Sequence, residues 1–234
     1  MCCIKGSLIK TTLVDFPGRV ATTYFISGCN IRCPYCYNGE LVFNTLPEED
    51  STSLPELFSH LEKRKNVLTG FVLSGGEPLV HKEATEIIKF AKNLGYKVKL
   101  DTNGLYPERL EKLFENQETT PDYIAVDLKT RPENYKTLKF FANATEKLTQ
   151  TISILEQKNV DHEFRTVLCP PLIAENDIHS IANLIQKDSK WFFANFRPEN
   201  CLDPLYDNIP PYNEKQVTEL VNYAKTQIPN AILR

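Results

Sequence analysis

Gly28-Cys29-Asn30-Ile31-Arg32-Cys33-Pro34-Tyr35-Cys36 follows directly on Ala21–Ser27, an apolar and β-branched run that reads as a strand. The cysteines are spaced C-x3-C-x2-C, with an aromatic residue just before the last. Three thiolates this close on one loop can hold three corners of a [4Fe-4S] cube and leave the fourth iron without a protein ligand. An iron with an open position is a place to bind a substrate. The loop therefore points to chemistry rather than to a structural staple.

Outward from this loop, strand-like and helix-like runs alternate. Strands are expected at Ala21–Ser27, Gly70–Ser74, Tyr96–Leu100, Tyr123–Asp127, Glu163–Leu168 and Trp191–Arg197. Helices are expected at Leu54–Lys65, Lys82–Leu94, Pro107–Glu115, Asn143–Gln157, Asp177–Lys187 and Asn213–Thr226. Ala144, Leu148, Ile152 and Leu155 recur at helical spacing and make one apolar face. Ser53 with Glu56 forms a capping-box pattern, and Asn213 is a candidate N-cap. Six β-α units predict an α/β fold, a parallel sheet with right-handed crossovers. A closed barrel needs eight units, so six suggest an open, partial (β/α)6 TIM-like barrel; a doubly wound sheet has the same string of elements. Ile4–Leu13 is expected to add a small hairpin. Pro170-Pro171 and Pro198–Pro211 read as surface loops, the latter over one end of the fold. No linker or repeat divides the chain, and residues 1–234 read as a single domain.

The composition is that of an ordinary folded protein, 41% hydrophobic and 24% charged. The net charge of -3, without a long Lys/Arg run, gives a nucleic-acid partner no electrostatic support. No apolar stretch approaches the length of a membrane span. The start, Met1-Cys2-Cys3-Ile4-Lys5-Gly6-Ser7, lacks the apolar region of a signal peptide. The expected location is a reducing cytoplasm, where thiols serve metals or catalysis more often than disulfides. All nine glycines lie at or before Gly104. This is either uneven loop usage or a sign that the first half cradles a cofactor.

In parallel α/β folds ligands bind at the C-terminal ends of the strands. The second strand is followed by Gly75, Gly76 and Glu77, the third by Asp101, Thr102 and Asn103, and the fourth by Asp127 and Lys129. The fifth carries Arg165, and the sixth ends at Arg197. Gly75 and Gly76 would let a ligand lie against the backbone, and Glu77 can accept from a ligand ammonium. Each loop alone has a bland reading, a tight turn or a local ion pair. An inward-facing guanidinium at Arg165 needs a partner. Six polar loops on one side describe a site.

Together these runs resemble the radical S-adenosylmethionine superfamily, on Cys29, Cys33, Cys36 and aromatic Tyr35, followed by Gly75-Gly76-Glu77-Pro78. Lys10–Gly18, Gly28-Cys29-Asn30 and Cys36-Tyr37-Asn38 are similar to the glycyl radical activases of anaerobic ribonucleotide reductase. Asp101–Gly104 and Asp127-Leu128-Lys129 are shared with pyruvate formate-lyase activases. The resemblance implies a [4Fe-4S] cluster on Cys29, Cys33 and Cys36, its open iron chelating S-adenosylmethionine. Tyr35, Gly75, Gly76, Glu77, Asn103, Lys129 and Arg165 are the implied cofactor contacts, with Gly75, Gly76 and Glu77 aligning the ammonium group. Asp101, Thr102 and Asp127 match positions that help hold a monovalent cation. Reductive cleavage of the cofactor would yield a 5′-deoxyadenosyl radical that abstracts hydrogen from a backbone glycine of a partner. The implied partners are a glycyl radical protein, foremost anaerobic ribonucleotide reductase, and an electron donor such as flavodoxin or ferredoxin.

The chain departs from the pattern at Tyr37, where many activases carry histidine, and it has no ferredoxin-like insertion between Cys36 and Gly75. Cys2, Cys3, Cys169 and Cys201 form no second cluster motif and read as ordinary thiols. Two alternatives are a radical enzyme acting on a small molecule, similar to 7-carboxy-7-deazaguanine synthase, and a non-catalytic zinc or electron-transfer module. Structural zinc takes four ligands, and the loop supplies three.

Overall fold

A computed structural model describes residues 4–234. Cys2 and Cys3 lie outside the described residues. The strands are β1 (Lys5–Thr12), β2 (Ala21–Ile26), β3 (Thr52–Ser53), β4 (Gly70–Gly75), β5 (Lys97–Thr102), β6 (Tyr123–Asp127), β7 (Asp161–Leu168), β8 (Trp191–Asn195) and β9 (Ala231–Leu233). The helices are α1 (Gly39–Phe43), α2 (Leu54–Arg64), α3 (Ala84–Asn93), α4 (Pro107–Leu113), α5 (Ala144–Lys158), α6 (Glu175–Ala182) and α7 (Glu214–Gln227).

Among the described residues all nine strands form one sheet, in the order β3-β1-β2-β4-β5-β6-β7-β8-β9. From β2 to β9 every neighbouring pair is parallel. The order never reverses after β2, so the described residues have no topological switch point and the doubly wound alternative is excluded. β3 and β9 are the two edges, and the fold is an open, partial barrel.

Two expectations at the edges need correction. Ile4–Leu13 is no hairpin in itself: β1 is one strand, antiparallel to β2 on one side and to β3 on the other. β9 adds a seventh parallel strand that the sequence pattern did not announce, because it is three residues long and Ile232 and Leu233 are exposed.

Alternation along the strands sorts side chains to two faces. Tyr24, Ile26, Phe71, Leu73, Val98, Leu100, Ile124 and Val126 are fully buried in the main core, with Leu57, Ile87, Leu148 and Leu155 of the helices. The expected face of α5, Ala144, Leu148, Ile152 and Leu155, is buried throughout. Their strand neighbours Phe25, Ser74, Asp101, Asp127 and Arg165 point the other way, to the concave side. At the N-terminal end of the barrel, Phe16 packs with Ala21, Val72 and Tyr123 in a small separate cluster.

The caps behave as the sequence predicts at Ser53, whose N–H and hydroxyl both donate to Glu56, and at Asn213, which exchanges hydrogen bonds with Gln216. Helix α6 begins at Glu175, because the Asp177 carboxylate accepts from Ala174 N and so stands in the first turn rather than at its start.

Candidate functional site

The cysteine loop leaves the C-terminal end of β2 and is held from several directions. Gly28 N donates to Leu41 O of α1 at 2.6 Å, and Arg32 N donates to Leu138 O at 2.7 Å. The Arg32 guanidinium donates to the carbonyls of Cys29 and Ile31 at 2.7 and 2.9 Å. His81 Nε2 lies 2.7 Å from Ser27 O. The Pro198–Pro211 segment does dock on this end: Leu202 N donates to Cys36 O and Asp203 N to Pro34 O. The Tyr35 ring meets Phe196 edge-on.

A cavity of about 400 Å³ opens on the loop. Cys29, Cys33 and Cys36 line it, with Tyr35, Gly75, Gly76, Asp101, Thr102, Asn103, Asp127, Lys129 and Arg165. Every residue that the resemblance implies at the site except Glu77 is therefore on its wall. Arg197 is exposed and lies off the cavity.

The two glycines serve a purpose beyond admitting a ligand. A Cβ on Gly76 would stand 2.1 Å from Gly28 O, and one on Gly75, where φ is +121°, would stand 2.3 Å from Ile26 O. The β4 turn lies directly against the backbone of the cysteine loop, joined by Gly76 N to Ile26 O and Glu77 N to Gly28 O.

Glu77 points away from the cavity. Its side chain is fully buried; Oε1 accepts from Leu79 N and Thr102 Oγ1, and Oε2 from Asn103 N at 2.6 Å. Burial pushes its carboxyl up to about 7, against the three donors that favour the ionised form. The carboxylate ties the β4 turn to the β5 turn. Asn103 carries the tie onward, donating from Nδ2 to Asn30 Oδ1 at 2.7 Å beside Cys29.

A chain of alternating charges crosses the cavity wall. Lys99 Nζ donates to Asp101 Oδ1 at 2.5 Å, and Arg165 Nη1 to Asp101 Oδ2 at 3.1 Å. Arg165 Nε donates to Asp127 Oδ1 at 2.6 Å, and Lys129 Nζ to Asp127 Oδ2 at 2.9 Å. Burial alone would raise both carboxyls, but the neighbouring cations outweigh it. Arg165 and Lys129 hold Asp127 well below the usual carboxylate range, and Arg165 with Lys99 lowers Asp101. These charges come from β5, the end of β6 and β7, so the glycine-poor second half of the chain supplies Asp127, Lys129 and Arg165 while most of the wall comes from residues before Gly104.

Lys99, Ser74 and Asp15 escaped the sequence reading. Lys99 is 2% exposed and lies two residues before Asp101, so strand periodicity was the signal that could have found it. Ser74 Oγ donates to Asp101, and Asp15 lines the cavity while accepting from Thr23 Oγ1. Cys169 and Cys201 are buried and off the cavity wall.

The donor set fits an iron-sulfur cluster. Burial pushes the Cys29 thiol up to about 11 and the Cys33 thiol to about 12, with Lys129 opposing the rise at both. Metal coordination would deprotonate them. Among the described residues no three His, Cys, Asp or Glu side chains converge on one metal ion, yet the three thiols face one cavity. The Tyr35 hydroxyl and the Asn30 amide nitrogen are buried beside the loop without hydrogen-bond partners in the protein, donors suited to a polar ligand.

The radical SAM family model matches residues 23–185. A chain of Methanocaldococcus jannaschii, provisionally named a glycyl-radical enzyme activating enzyme, is 31% identical over 99% of this chain and 95% of its own length. The pyruvate formate-lyase-activating enzyme of Clostridium pasteurianum is 28% identical over 77% of this chain and 75% of that one. A solved structure of TYW1 with a lysine-pyruvate adduct bound has a TM-score of 0.58 at 14% identity, covering 88% of this chain and 73% of that one, a likeness of fold. The chain belongs to the radical SAM superfamily.

Proposed function

We propose that this protein is a glycyl radical activase: it binds a [4Fe-4S] cluster and S-adenosylmethionine and installs a radical on a backbone glycine of a partner protein. The observation that carries this reading is likeness to an activating enzyme over 99% of the chain, well beyond the span of the superfamily model.

When bound, cluster and cofactor supply reductive cleavage of a sulfonium C–S bond and a primary carbon radical. The chain's own residues position and shield. Cys29, Cys33 and Cys36 hold three corners of the cluster. The Gly75-Gly76 turn, fixed from behind by Glu77, would receive the cofactor ammonium. Lys129 and Arg165 would offer their charges to the methionyl carboxylate, and Asn103 and Tyr35 would contact the cofactor from the same wall.

A second observation supports a protein substrate. Tyr37, Phe43, Phe141 and Leu205 are large, apolar and exposed. They sit on segments tied to the cysteine loop: Tyr37 follows Cys36, Phe43 ends α1, Phe141 follows the Leu138 turn, and Leu205 follows Leu202. Of these only Tyr37 lines the cavity; exposed apolar side chains on segments bonded to the cysteine loop suit a macromolecular partner. Anaerobic ribonucleotide reductase is the partner the sequence resemblance favours, with flavodoxin or ferredoxin as electron donor.

The test is paramagnetic resonance on a candidate reductase after anaerobic incubation with this protein, reductant and S-adenosylmethionine. A glycyl radical doublet that requires this protein supports the reading. Cofactor cleavage with no protein radical on any glycyl partner contradicts it and favours a small-molecule substrate.

A further inference from the structure

We infer that the ammonium of Lys99, paired with Asp101 from behind the cavity wall, supplies the charge compensation that an exchangeable monovalent cation would otherwise bring to Asp101, so that the cofactor pocket works without alkali ions. The inference rests on the proposed function for what the pocket binds, and on geometry for how the pocket is charged.

The three residues matched to a cation site do not fit one. Asp101 has both oxygens engaged: Oδ1 by Lys99 at 2.5 Å, and Oδ2 by Arg165 at 3.1 Å and Ser74 Oγ at 3.0 Å. Asp127 accepts from Arg165 through Oδ1 and from Lys129 through Oδ2. The Thr102 hydroxyl donates to Glu77 and accepts from Gly104 N. No carboxylate oxygen among them is without a cationic partner.

Lys99 is placed there by strand geometry. It shares a face of β5 with Asp101, two residues on, and it is 2% exposed. A buried ammonium persists only when paired, and Asp101 is its anionic partner. Lys99 is not on the cavity wall whereas Asp101 is, so the ammonium supports the carboxylate from behind. Three cations here face two carboxylates, leaving one positive charge in excess. This network offers a further cation no unpaired carboxylate, while the carboxylate of an incoming amino-acid moiety would bring the network to neutrality. Lys99 is thus a positioning residue, acting through Asp101 and Arg165.

The test is S-adenosylmethionine binding to the cluster-loaded protein in choline chloride against potassium or sodium chloride at equal ionic strength, with the linewidth of the sodium NMR signal as an independent readout. Wild type should bind with a Kd that changes less than about twofold between salts and should not broaden the sodium signal. Lys99→Gln, which removes the charge, should bind about tenfold more weakly in choline and recover with alkali ions, and should acquire sodium broadening. Alkali-dependent binding or sodium broadening by wild type would overturn the inference, as would a folded Lys99→Gln indifferent to alkali ions. If Lys99→Gln fails to fold, the wild-type comparison still decides. Absence of cofactor binding in every salt counts against the proposed function instead, and the sodium signal then decides the question of the ion alone.

Discussion

Arg165 Nε donates to Asp127 Oδ1 at 2.6 Å between residues that are register partners on β7 and β6, while its Nη1 reaches Asp101 on β5. One guanidinium thus spans three adjacent strands at the cavity wall. Lysine has one ammonium and cannot reproduce two directed contacts. Arg165→Met should leave two largely buried carboxylates each one cation short, costing roughly 3 kcal/mol. Thermal unfolding should shift down by about 6–12 °C, and cofactor affinity should fall with it.

Gly76→Ala should damage the cysteine loop rather than the sheet. Its Cβ would meet Gly28 O at 2.1 Å, backbone against backbone, so the loop carrying Cys29 must move. Iron retained after anaerobic reconstitution and desalting should drop several-fold. Gly18→Ala is the control: φ is +70° there, but nothing lies within 4 Å, so the cost is about 1 kcal/mol of backbone strain with iron content unchanged.

Serine at Cys29, Cys33 or Cys36 should each abolish the cluster, read as iron and acid-labile sulfide below about one tenth of wild type. Serine at Cys169 or Cys201, which lie off the cavity wall, should leave both near the wild-type value. Retention of a full cluster by any of the first three variants contradicts the ligand set.

Glu77 gives stability a definite pH dependence. Its carboxyl is raised by burial from about 4.5 to about 7. The neutral form is favoured in the fold, so the stabilisation is complete below about 4.5 and is lost as pH rises through about 7. The amount is on the order of 3 kcal/mol. Urea midpoints of wild type should fall between about pH 5 and about pH 8 by more than those of Glu77→Gln. The variant should also be less stable at the lower pH, because the amide nitrogen turns a donor towards donors.

The wall of the cavity was legible in the sequence because the strand-end rule is strong. Once Ala21–Ser27 and its successors are read as parallel strands, the residues after them must meet. What the pattern cannot carry is side-chain direction within a turn. Glu77 directly follows Gly75 and Gly76 of the wall, yet its carboxylate turns back to Leu79, Thr102 and Asn103. Lys99 was hidden for a different reason: in Lys97-Val98-Lys99-Leu100 the lysines look like the solvent-facing half of an ordinary strand, and only the concave face of the sheet makes one of them interior. β9 carries no burial signal, since two of its three residues are exposed at the edge.

The most direct test is to incubate the cluster-loaded protein anaerobically with dithionite and S-adenosylmethionine and to assay 5′-deoxyadenosine and methionine. The account predicts both products in equal amounts, dependent on reductant and lost with Cys36→Ser. An intact cluster that binds the cofactor, accepts an electron and releases no 5′-deoxyadenosine would contradict it.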